Sequence, residues 1–194
     1  MEKEKLNHLI DRFLELNSKD PNKIEFEKQE FPREYIYSKW LSKWVHQLIP
    51  NPSIALQLAS YSQHLKRWEI PRDSFPKDRN GYLKWRTKLY KYHSDEVEKI
   101  LKEEKVNDDL ILEVKSIIEK KNSDTNKDVQ LMEDALCLVT LEFQIEEFSK
   151  SYSDEKMKDI LQKIIKKMSQ KGIEEALKLN YSLRVKNLLL SLIN

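Results

Sequence analysis

Apolar residues recur along this chain at helical spacing, and no run alternates for long enough to build a sheet. In residues 5–17, Leu6, Ile10, Phe13, Leu14 and Leu16 fall mostly on one face, so a helix is expected to end near Asn17. Asn22–Phe31 is charged, lacks a period and reads as a surface loop. Pro32 suits the start of a second helix reaching Leu48, with Tyr37, Trp40, Leu41, Trp44, Val45 and Leu48 as its apolar face and His46 beside that face. A third helix is expected from Ser53 to about Trp68, where Ala55, Ala59 and Ser60 let a neighbour approach closely.

Gly81 opens a fourth helix whose face runs through Tyr82, Arg86, Leu89, His93 and Ile100, and Asn107 caps a fifth with Asp108 and Asp109 in its first turn. After a polar loop at Asn122–Lys127, the stretch from Asp128 to about Phe148 is the most apolar and is expected at the centre of a bundle. Shorter helices follow at Ser153–Met168, Ile173–Leu179 and Tyr181–Ile193. The pattern predicts one all-α domain over residues 1–194, a bundle of about seven to nine helices.

Composition narrows the chemistry. The chain is 35% charged and 39% hydrophobic, as suits amphipathic helices with charged outer faces. With two glycines, Gly81 and Gly172, it has neither a phosphate-binding P-loop nor a dinucleotide fingerprint, so nicotinamide, flavin and P-loop nucleotide sites are not expected. Cys137, the single cysteine, sits in the apolar run DALCLVTLEF and reads as a small buried side chain. Without an apolar signal core or a long apolar span, a cytoplasmic protein with no membrane partner is expected.

The segment Gln63–His93 departs most from scaffold. It holds nine Lys and Arg against Glu69, Asp73 and Asp78, in a chain of net charge +2. These cations are interleaved with Trp68, Tyr82, Trp85, Tyr90 and Tyr92, and Pro71 and Pro76 stiffen the loop Glu69–Arg79. Arg67, Trp68, Arg72, Arg79 and Arg86 are therefore candidate contacts for a phosphate carrying a flat group. A solvated basic surface accounts for the charge equally well. Trp68 is expected on the His64 side of its helix, and Trp85 to pack against a neighbour.

Three helices each offer one metal-ligand type, His64, His93 and Asp134, with Glu133 adjacent. Two imidazoles and a carboxylate suit zinc, manganese or iron and could polarise a bound water, which makes His64, His93 and Asp134 the catalytic candidates. The alternative is that the histidines are structural and that Asp134, a carboxylate heading a buried row and so in need of a partner, pairs with Arg86, another arginine or a helix end. The Lys167–Met168–Ser169 triplet matches the lysine loop of class I aminoacyl-tRNA synthetases, but their nucleotide fold is ruled out by the glycine count. Glu142, Glu146 and Glu147 lack the Glu-x-x-His pairs of a di-iron bundle.

Across RFLELN, YSKWL, QHLKRWEIPRDSFPKDRNGYLKWRTKLYKYH, LMEDALCLVTLEF and KMSQKG, the chain resembles the uncharacterised family of domain of unknown function 4202. Its helix order is also similar to HD-type metal-dependent phosphohydrolases. That likeness implies an HD-like fold with His64 at the His-Asp position, His93 at the later histidine and Asp134 at the distant aspartate. The aspartate of the pair is missing, and no histidine stands near Tyr35–Trp40, where the superfamily has one. The function expected is binding of a phosphorylated, nucleotide- or RNA-derived ligand, with metal-dependent hydrolysis as the reaction that fits. A non-catalytic tRNA- or RNA-binding module and a helical protein-interaction scaffold are the alternatives.

Overall fold

The computed structural model describes residues 1–121 and 125–193, so residues 122–124 of the expected loop Asn122–Lys127 lie outside the described residues. The class is all-α. The chain gathers into two compact units, Met1–Val129 and the residues from Gln130 onward.

The first unit begins with α1 (Lys3–Asn17), followed by a two-stranded antiparallel ribbon, β1 (Lys23–Phe26) and β2 (Gln29–Pro32). The ribbon replaces the loop expected there. Its two-residue turn, Glu27 and Lys28, has φ of 51° and 64°, the left-handed pair that a tight hairpin requires. The next helices are α2 (Arg33–Leu48), α3 (Ile54–Ser62), α4 (Arg79–Glu103) and α5 (Asp108–Ile118). α3 packs against α1, α2 and α5, and Ala55, Ala59 and Ser60 are buried as the close approach demands. Leu9, Phe13, Leu41, Trp44, Leu48, Leu56 and Leu58 fill the space between these helices. Asn107 caps α5 by accepting from the Leu110 N–H at 2.8 Å.

α4 and α5 both end on a lysine in the left-handed region, Lys105 at φ 53° and Lys120 at φ 57°. The residue after each donates back, Val106 to the Leu101 carbonyl and Lys121 to the Ser116 carbonyl, both at 2.9 Å, which is the closure that glycine usually supplies.

α6 (Lys127–Phe143) leads into the second unit, which holds α7 (Ile145–Ser151), α8 (Asp154–Ile165), α9 (Gln170–Ala176) and α10 (Leu183–Ile193). The single helix expected to Phe148 is interrupted at Gln144, where φ is −126°. Ala135, Leu138 and Val139 are fully buried, and Cys137 is buried as expected. α10 packs on α7 and α8, fastened by Arg184, which donates to Asp154 at 2.8 Å and to the Tyr152 carbonyl at 2.9 Å.

Candidate functional site

The segment after α3 builds the site. α3 stops at Ser62, short of the expected Trp68, so His64 lies in the following turns instead of on the helix. Lys66 takes a left-handed φ of 54°, and Arg67–Glu69 and Arg72–Ser74 form short 3-10 turns. Arg72 ties this loop to itself by donating to the Phe75 carbonyl at 2.9 Å and the Pro76 carbonyl at 2.7 Å. Asp78 caps α4 through the Gly81 N–H at 2.6 Å, and a Cβ at Gly81 would overlap the Pro76 carbonyl, so this position needs glycine. Trp85 donates its indole N–H to the Ile70 carbonyl at 2.9 Å, fastening the loop onto α4.

Facing the loop is the start of α2. Buried Asp20 accepts from the Asn22 N–H at 2.9 Å and from the Glu34 N–H at 3.0 Å, which fixes where Arg33 and Glu34 stand. Between the two lies a cavity of about 440 Å3, lined by Asn22, Arg33, Glu34, Arg67, Trp68, Ile70, Arg72 and Trp85 among others. Arg67 stacks over the Trp85 ring at 4.9 Å. Arg33 is exposed and, among the described residues, has no hydrogen bond or ion pair through its guanidinium.

Behind the cavity sit three titratable groups. Glu34 is 5% exposed; one carboxylate oxygen is 3.8 Å from the Arg67 Nε and the other 3.3 Å from the His64 Nδ1. The second contact is misaligned, leaving that oxygen buried without a hydrogen bond. His64 stacks on Tyr37, ring centres 4.9 Å apart, and its ring centre is 6.0 Å from that of His93. His93 is 1% exposed and lies 2.7 Å from the Leu65 carbonyl through Nδ1. A carbonyl only accepts, so Nδ1 carries the proton and Nε2 is a buried acceptor with no partner.

Burial holds the Glu34 carboxyl above its ordinary range, against the pull of Arg67, Arg33 and His93. Burial, and after it the charges of Arg67, Lys120, Arg33 and Arg86, pushes His64 well below the ordinary histidine value. Burial and His64 push His93 down to about 3, against its bond to the Leu65 carbonyl. Both rings are therefore neutral at pH 7, inside a field made positive by arginine and lysine.

The expected ligands and contacts are distributed as follows. His64 and His93 come together, with Glu34 as the carboxylate at hand. Asp134 belongs to the second unit and is engaged there: it accepts from the Ser169 N–H at 2.7 Å, the Ser169 hydroxyl at 2.5 Å and Gln130 at 3.0 Å. Asp134 thus anchors the start of α9, giving the KMS triplet a structural reading in place of a pairing with Arg86. Glu133 lies 3.7 Å from the Lys167 ammonium. Among the described residues no group of three or more His, Cys, Asp or Glu is placed to hold a metal ion. Arg67, Trp68 and Arg72 line the cavity, although Arg72 spends much of its fork on loop carbonyls. Trp85, expected only to pack, lines it too. Arg79 is exposed at the start of α4, and Arg86 bonds Tyr90 and lies over the Tyr82 ring, so neither is among the lining residues. His46 is exposed and bonded to the Ser42 carbonyl at 2.9 Å, as expected.

Arg33 and Glu34 were not legible as site residues from charge density, since they lie outside the basic segment. Periodicity carries a signal for Glu34, which shares a buried row with Ser38, Leu41, Val45 and Leu48. A carboxylate heading such a row needs a partner, the reasoning that singles out Asp134.

No described helix is long and apolar enough to cross a membrane. The sequence model of one family, Domain of unknown function (DUF4202), matches residues 7–189. No curated protein and no solved structure matches the chain.

Proposed function

The chain belongs to this family of unknown function, and from the site itself we propose that it binds a small phosphorylated ligand in the cavity between α2 and the loop after α3 and hydrolyses its phosphate ester. The observation that carries the reading is the pairing of Arg33 and Arg67 on one concave wall, with His64 held neutral behind it by burial and by the same positive charges. Guanidinium groups recognise phosphate oxygens in pairs of charge-assisted hydrogen bonds. The cavity falls toward the lower end of the roughly 300–1,000 Å3 typical of small-molecule sites. Trp68 and Trp85 supply a flat apolar wall for the rest of the ligand.

In the reaction, a neutral imidazole takes a proton from an attacking water as its oxygen bonds to phosphorus. The ester P–O bond breaks, the leaving alkoxide takes a proton from solvent to depart as the alcohol, and the imidazolium returns its proton to solvent. His64 is the group suited to the first role, because a fifth of its side chain remains exposed while His93 is enclosed. A dianionic phosphate beside His64 opposes the cationic field and makes the ring a stronger base once the ligand is bound.

A second reading, a non-catalytic RNA-binding surface, draws on Lys84, Lys88 and Lys91, which line an exposed face of α4 beside Leu83 and Tyr92. Phosphate release from a panel of phosphate esters, with and without added zinc, manganese or iron, tests the two. Turnover that falls at least 100-fold in His64→Asn and Arg67→Ala supports hydrolysis in the cavity. No turnover, together with RNA binding that weakens steeply with salt and is lost in a Lys84/Lys88/Lys91 triple alanine variant, supports the second reading.

A further inference from the structure

An arginine-lined phosphate site has no need of a buried carboxylate, yet Glu34 lines this one. Two arginines offer only hydrogen-bond donors, and a fully ionised phosphate ester offers only acceptors, so the phosphate reading leaves Glu34 unused. Its position is nonetheless specified in detail. The Asp20 carboxylate accepts from the Glu34 N–H at 3.0 Å, and the Asn22 carbonyl accepts from the Arg33 N–H at 2.9 Å, so both residues are set by the chain that precedes the ribbon. Asp20 is 2% exposed and Glu34 5%, so this is an interior arrangement and not a surface contact.

Neither Glu34 oxygen closes a hydrogen bond: one is enclosed against a misaligned His64 nitrogen at 3.3 Å, and the other, on the Arg67 side, is the one left to face the cavity. The protein places no well-aligned donor on that cavity-facing oxygen. Arg67 is the nearest cation, and at 3.8 Å it faces this oxygen without closing a hydrogen bond.

We propose that the ligand supplies the missing donor: the cavity takes a phosphate ester of a polyhydroxylated alcohol, a sugar phosphate or the ribose phosphate of a nucleotide, with Arg33 and Arg67 on the phosphate and Glu34 accepting from a sugar hydroxyl. This rests on the phosphate-binding reading given above. Acceptor and donors lie on one wall, Glu34 following Arg33 in sequence and facing Arg67, which matches a ligand whose hydroxyls lie a few bonds from its phosphate. Trp68, Ile70 and Trp85 cover the C–H face of such a ring or a base attached to it. A site that hydrogen-bonds a ligand hydroxyl discriminates strongly against an analogue without it, because the buried protein group is left unpaired again.

The experiment is a calorimetric titration of the full chain with inorganic phosphate, methyl phosphate, ribose 5-phosphate and adenosine 5′-monophosphate. For the wild type, ribose 5-phosphate binds at least 10-fold tighter than methyl phosphate. In Glu34→Leu that ratio falls to within twofold of one, while methyl phosphate, fully ionised at pH 8, binds as well as before or better, since a repelling carboxylate is gone. Glu34→Gln keeps one acceptor oxygen and gives an intermediate ratio, which carries the test if the leucine variant does not fold. The monophosphate binding more tightly than ribose 5-phosphate points to a nucleotide, and equal affinity to a free sugar phosphate, either of which satisfies the proposal. Equal affinity of the wild type for methyl phosphate and ribose 5-phosphate, or a ratio that survives in Glu34→Leu, overturns it while leaving the phosphate site standing. Inorganic phosphate binding that is unchanged by Arg33→Ala and Arg67→Ala overturns the phosphate reading itself.

Discussion

Replacing Glu34 by glutamine should stabilise this protein, although it removes a charge that faces an arginine. The wild-type carboxylate is 5% exposed, has one oxygen without a hydrogen bond and lies 3.8 Å from the Arg67 Nε. Two unit charges about 4 Å apart near a surface attract by up to about 4 kcal/mol at an effective dielectric of 20, less when one partner is partly exposed. Burial works against this. The direction of the titration decides between them: the Glu34 carboxyl is held above its ordinary 4.5 despite Arg67, Arg33 and His93, so the loss of water outweighs the attraction. Glutamine keeps the shape and drops the charge, and the gain is about 1–3 kcal/mol, the cost of a buried unsatisfied group.

The gain also has a sign in pH. A carboxyl whose folded pKa is raised contributes stability that is fully present below its unfolded value and is lost as pH rises through its folded value. The advantage of Glu34→Gln over wild type should therefore be smallest below pH 4.5, grow as pH rises through the folded value, and level off above it. Urea unfolding of both proteins at half-unit intervals measures it. A glutamine variant less stable than wild type at pH 8, or an advantage that does not change with pH, would refute the burial argument.

The other expectations concern the scaffold around the site. Gly172→Ala places a Cβ 2.8 Å from the Asp134 carboxyl carbon, and thermal melting should show a loss of about 1–3 kcal/mol as Asp134 is pushed off Ser169. Trp85→Ala removes a 9% exposed ring and its bond to the Ile70 carbonyl, so it should cost about 3–5 kcal/mol and weaken ligand binding as the loop comes free, in melts paired with titrations. His93, with its pKa lowered from 6.5 to about 3, contributes stability that is present above pH 6.5 and lost as pH falls to about 3. In His93→Asn, which can keep the donor to Leu65, the acid sensitivity of urea unfolding between pH 6.5 and 5 should fall by about 1.4 kcal/mol per pH unit.

Much of the fold was legible because amphipathic helices carry their period openly. The buried face of α2, the Asn107 cap and the small residues of α3 all follow from spacing and side-chain type. What escaped were the turns. Among the described residues, every non-glycine at positive φ is Glu27, Lys28, Lys66, Lys105 or Lys120, and no glycine adopts positive φ. Turn reading relies on Gly, Asn and Pro, so a ribbon turning on Glu-Lys and a loop turning on Lys66 look like charged surface. The early end of α3 follows from the same blindness, and with it the placement of His64 off the helix. At the site, charge density led to Arg67, Arg72 and Trp68 and passed over Arg33 and Glu34, which the ribbon carries to the same cavity. Asp134 was correctly singled out as a carboxylate in need of partners. Those partners are a backbone N–H, a hydroxyl and an amide, which a row of apolar residues cannot announce.

The central claim is that Arg33 and Arg67 form a phosphate site beside Glu34 and His64. Crystals grown or soaked with tungstate, an oxyanion of phosphate geometry with a strong anomalous signal, test it most directly. The account predicts an anomalous peak in the cavity, with oxygens at roughly 2.7–2.9 Å from both guanidinium groups. A cavity without a peak while tungstate occupies the Lys84–Lys88–Lys91 face of α4 would contradict it.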